Sequence, residues 1–138
     1  MAQNEDKGTV KDLALYRIET AKQDLASAKL LLEAGDNRGA NNRSYYGIFH
    51  AISAVHALDG KAYKRHKDAL ANFNKTYVKT EAFPKELGRR ISEAEEIRHA
   101  SDYDDFYIAN RAEAEEQIET AEKLLEQVID LFKTRTGE

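Results

Sequence analysis

The stretch ALYRIETAKQDLASAKLLLEAG, residues 14–35, sets Ala14, Ile18, Ala21, Leu25, Ala28 and Leu32 at intervals of four, three, four, three and four. That spacing gathers six small or aliphatic side chains on one face of a helix and leaves the charged residues opposite. Gly35 closes the pattern, as suits a residue that takes the left-handed backbone without a Cβ clash. The same spacing returns near the end of the chain. There Ala114, Ile118, Ala121, Leu125, Val128 and Phe132 form a second stripe, behind Asn110 and Glu113, which suit a helix start. Two such stripes predict helices packed in one bundle, and the unlike residues between them exclude an internal repeat.

The segments between fill in the same architecture. Residues 37–58 read as a second helix ended by Asp59 and Gly60, with Ala40, Gly47, Ala51 and Ala54 along one side. Such small residues let backbones approach, at a packing seam or at a subunit interface. A third helix is expected from about His66 to Lys79, turning Leu70, Phe73, Tyr77 and Val78 to the core. Pro84 suits the first turn of a fourth, carrying Leu87, Ile91, Ala94 and Ile97. One proline, seven glycines and no convincing strand predict an all-α, up-and-down bundle of four to five helices. The expected divisions are a flexible N-terminus over 1–11, a bundle domain over 12–134 and a tail over 135–138.

At 138 residues the chain is long enough to bury one core without a disulfide or metal staple. It has no cysteine, which removes disulfides, zinc-finger spacings and thiol nucleophiles and is compatible with a reducing cytosol. Neither a leader pattern nor a long apolar run is present, so a cytoplasmic protein without a membrane span is expected. Glycine-rich phosphate loops, nucleophile elbows and two-histidine metal spacings are also absent, and no metal or cofactor is expected. Charge is uneven. Residues 61–90 hold nine lysines or arginines against three acids, so this segment is +6 within a chain of net charge −4, and the remainder is −10. Such a segment offers phosphate a Coulombic site, or is simply a solvated helix surface.

Three places break the helical pattern. In EIRHASDYDDF, residues 96–106, the four-three-four spacing of the fourth helix lands on Arg98 where an apolar residue is due. A buried lone guanidinium is very costly, so Arg98 must reach water or a partner, and Asp102 lies four residues on along the same face. In the second helix, Arg43, Tyr46 and His50 share a polar face, which builds a site between helices or is a set of core and interface residues with satisfied tips. At the start of the third helix, His66 sits among Lys64, Arg65 and Lys67, whose charges favour phosphate and oppose protonation of the imidazole.

These residues together resemble the HEPN domain (higher eukaryotes and prokaryotes nucleotide-binding) of the small prokaryotic type, over about residues 12–132. The resemblance rests on the Asn-Arg-x-Tyr-Tyr run at Asn42 to Tyr46, the histidine at His66 and the Arg-x-x-x-Asp-Tyr run at Arg98 to Tyr103. It implies a helical bundle that commonly forms a homodimer, often paired with a minimal nucleotidyltransferase as toxin and antitoxin. Many members are metal-independent ribonucleases in which an arginine is followed, after four to six residues, by a histidine. Here those positions hold Tyr103, Asp104 and Asp105, and His99 is turned about 100° away from Arg98 around a helix. The tyrosine that some partners adenylylate corresponds to Asp105, with Tyr103 and Tyr107 beside it.

The reading favoured from sequence is a protein that binds nucleotide or RNA phosphate through Arg43, Tyr46, Arg65, Arg98, Asp102 and Tyr103. One alternative is a toxin-like ribonuclease using Arg98 with His50 or His66. The other is a structural role for the polar cluster at a dimer seam.

Overall fold

Asp36 starts the helix around which everything else is arranged: its carboxylate accepts the Gly39 N–H at 2.8 Å, a side-chain cap on the first turn. This computed structural model describes the backbone of residues 2–137 and the side chains of residues 10–137. The expected flexible segment 1–11 thus falls mostly outside the described side chains. The helices are α1 (Ala2–Glu33), α2 (Asn37–Leu58), α3 (His66–Phe73), α4 (Lys85–Tyr103) and α5 (Arg111–Thr136). No strand occurs among the described residues. The all-α bundle expected from sequence is the fold.

α2 is the central element, touching α1, α3, α4 and α5, and α5 also packs on α1 and α4. The predicted stripes are its lining: Ala14, Ile18, Ala21 and Ala28 of α1 and every stripe residue of α5 are buried. Gly35 and Gly60 take the positive φ values, +85° and +71°, expected of residues that stop α1 and α2. The small-residue side of α2 is a seam within the chain. A Cβ on Gly47 would meet the Ala21 carbonyl oxygen at 3.6 Å and the Ala121 Cβ at 3.9 Å, ordinary contacts with α1 and α5.

Two features differ from the expected elements. The third helix is α-helical only to Phe73 and continues as a π-helical turn, Asn74–Val78, where the Lys79 N–H donates to the Asn74 carbonyl at 2.8 Å. The longer turn brings Phe73, Tyr77 and Val78 to the core together. Tyr77 donates its hydroxyl to Asp59, at the end of α2, and Arg135 bonds both groups. Arg135, read from sequence as part of a tail, therefore ties the last turn of α5 to two other elements.

Candidate functional site

Arg98 enters the bundle where the stripe of α4 should have continued. Its guanidinium lies over the ring of Tyr45, 4.7 Å from the centroid, and bonds Asp102 at 3.3 Å. The side chain is only 16% exposed and its Nε is buried without a hydrogen-bond partner. Burial opposes its charge, but Tyr45 and Asp102 outweigh that and move its pKa upward, so Arg98 is a fixed cation. The hydroxyl of buried Tyr45 lies 3.2 Å from Nδ1 of His66, whose ring stacks on Phe49 with centroids 3.8 Å apart. Burial, then the charges of Arg98 and His50, hold His66 below the ordinary histidine pKa. Burial keeps Tyr45 a neutral phenol, and its hydroxyl pairs with Nδ1 of His66 as donor or acceptor according to the imidazole tautomer.

A second charged group joins this one through α1. Buried Asp24 accepts from Nδ1 of His50 at 2.7 Å and from Arg43 at 3.2 Å. With Nδ1 turned onto the carboxylate, Nε2 is the His50 nitrogen that does not bond Asp24. Arg43 lies 4.9 Å from the centroid of the Tyr46 ring and donates to Asn42, which in turn reaches Asp102 at 3.4 Å. Tyr46 packs between the imidazoles, 6.2 Å from His50 and 5.8 Å from His66 by ring centroids. Asp24, Arg43, Tyr46, His50, His66, Arg98 and Asp102 thus form one continuous cluster across α1, α2, α3 and α4.

The HEPN domain family matches residues 14–131. The chain belongs to the HEPN family. A "UPF0332 protein" of Thermotoga maritima is 33% identical over 118 residues, covering 86% of this chain and 89% of the relative. Two proteins of Methanocaldococcus jannaschii, each named "Putative toxin", are both 31% identical. One alignment spans 62% of this chain and 64% of the relative, the other 71% and 67%.

Two residues singled out from sequence lie apart from the cluster of this HEPN chain. Arg65 is largely exposed and its guanidinium is turned onto Asp68 at 3.0 Å. Tyr103 is 68% exposed, its ring 4.9 Å from that of His99, while Tyr107 donates its hydroxyl to Glu113. Among the described residues, four of the nine cations of the basic segment form ion pairs: Arg65 with Asp68, Lys85 with Glu81, Arg89 with Glu86 and Glu93, and Arg90 with Glu119 of α5. No helix among the described residues is long and apolar enough to cross a membrane. Sequence reasoning passed over Asp24 and Tyr45. Asp24 left one signal, an acid one position before Leu25 in the apolar stripe. Tyr45 stood in the Asn-Arg-x-Tyr-Tyr run, but nothing there marked it as the partner of Arg98 and His66.

Proposed function

We propose that this HEPN chain binds the phosphate of a nucleotide or RNA at Arg98, with His66 and Arg43 beside it, as the toxin-like member of a pair with a minimal nucleotidyltransferase. The observation that carries the reading is Arg98 itself. A largely buried guanidinium is laid against a tyrosine ring, held on one edge by Asp102, with the His66 imidazole bonded to the same tyrosine. A planar fork of donors held in this way suits the oxygens of a phosphate. The family and the relatives named as toxins support the paired role, and the family habit of dimerisation supports a homodimer.

Binding of a short single-stranded RNA and of a nucleoside monophosphate, measured by titration calorimetry at low and moderate salt, tests this. Arg98→Ala should weaken both by about tenfold or more, and salt should weaken the RNA complex further. Unchanged affinity in Arg98→Ala, with the fold intact by circular dichroism, would refute the reading.

The second reading is a ribonuclease, favoured by the Asp24–His50 hydrogen bond. On this reading His50 Nε2 is the base for the RNA 2′-hydroxyl, whose oxygen attacks phosphorus. The P–O5′ bond then breaks, and the His66 imidazole supplies the proton to the leaving oxygen. Arg98 would stabilise the crowded phosphate. Cleavage by chelator-treated protein that yields a 2′,3′-cyclic phosphate and disappears in both His50→Ala and Arg98→Ala would favour this reading over binding alone.

A further inference from the structure

We infer that the pocket between α3, the π turn and α4 is the base subsite for the same nucleotide, an inference that rests on phosphate binding at Arg98. The pocket holds about 260 Å³ and is walled by the buried side chains of Phe73, Val78 and Ile91. Its mouth is shared. Lys67 and Glu95 line this pocket and also line the adjoining hollow onto which Arg98 opens. A ligand anchored on Arg98 therefore meets the pocket one pair of side chains away.

The chemistry of the lining selects the occupant. Asn74 and Ser92 sit among the apolar walls, and neither makes a side-chain hydrogen bond or ion pair among the described residues. An amide and a hydroxyl each both donate and accept, which matches the edge of a heteroaromatic base. Apolar walls suit its faces, and a bare phosphate would have no use for them. The volume is smaller than the roughly 300–1,000 Å³ of drug-sized sites and fits a single flat ring system. Asn74 and Val78 reach the pocket from opposite ends of the π turn, so that turn builds the wall. Lys67 adds a cation at the mouth, next to where the sugar and phosphate would pass.

The test titrates the full chain with ribose 5-phosphate, AMP, GMP and a short single-stranded RNA, in wild type, Ser92→Phe, Asn74→Ala and Arg98→Ala. Ser92 is exposed, so a phenylalanine there fills the pocket from its rim without entering the core. Ser92→Phe should lower affinity for the base-bearing ligands by about tenfold while leaving ribose 5-phosphate unchanged, and Asn74→Ala should show the same pattern more weakly. Arg98→Ala should weaken every ligand. Base-dependent loss seen with AMP or GMP assigns the subsite to a free nucleotide, and loss seen with RNA alone assigns it to one nucleotide of a strand. If Ser92→Phe and Asn74→Ala bind AMP, GMP and RNA as wild type does while Arg98→Ala fails, the base subsite is wrong and the phosphate reading stands. If Arg98→Ala leaves ribose 5-phosphate binding untouched, or no ligand binds the wild type, both fall.

Discussion

Arg98 gains a flat aromatic face and a carboxylate where the helical period of α4 calls for an apolar side chain. A lysine could pair with Asp102 as a point charge, but it cannot lay a planar guanidinium on the Tyr45 ring and hold further donors in a fixed fork for phosphate. Arg98→Lys should therefore keep the charge yet weaken phosphate binding by about tenfold in the calorimetric assay, and affinity within about twofold of wild type would show that charge alone suffices. Asp24 poses a different residue-level problem, since it is buried between Arg43 and His50 and satisfies both. Asp24→Ala should cost about 1–3 kcal/mol in urea unfolding, because it takes the shared acceptor from two half-buried donors, and a loss below about 0.5 kcal/mol would contradict that account. The interrupted stripe announced Arg98, and the polar face of α2 announced Arg43, Tyr46 and His50. The Asp24 contacts depend on how α1 is rotated against α2, which no single helix records. For Tyr45 the difficulty was its hydroxyl, whose partner His66 lies across a loop of unspecified course.

At the scale of elements, α1, α2 and α5 were legible because each has an apolar stripe bounded by a residue that starts or stops a helix. The third helix was legible in place and in its buried residues but not in form. Its α-to-π transition answers to packing against α4, which periodicity does not contain. Gly88 is the point of closest approach: a Cβ there would lie 2.5 Å from Val78 Cγ1 and 3.2 Å from the Asn74 Oδ1. Val78 is branched at Cβ and already buried, so its methyl has little freedom to turn away. Gly88→Ala should destabilise the fold by about 1–3 kcal/mol by overpacking, read from the urea midpoint, despite the better helix propensity of alanine. A stability equal to or above that of wild type would mean that the π turn moves freely and that the pocket wall is soft.

Across the whole molecule, protonation and folding are linked through two histidines at α3: His66, its first residue, and His56 of α2, which bonds its backbone. His56, buried with its Nε2 donating to the Ala69 carbonyl at 2.8 Å, is held below the ordinary histidine pKa, chiefly by burial. His66 is lowered by burial and by Arg98 and His50. The unfolded chain protonates both near the ordinary value of about 6.5, whereas the folded chain takes those protons up only at lower pH. As pH falls through that window the unfolded state binds more protons, so folding stability decreases and rises again as pH is restored. Glu113 works the other way, since burial raises its pKa, but its range lies toward more acid pH. Urea unfolding at pH 7.5, 6.5 and 5.5 should therefore show the wild type losing stability on acidification. His66→Asn should flatten part of that slope, because it removes one of the two groups while His56 keeps the other. A slope that is absent, or that His66→Asn leaves unchanged, would mean that His66 protonates in the folded chain as readily as in the unfolded one. The burial and the neighbouring cations that define the site would then not be acting on it.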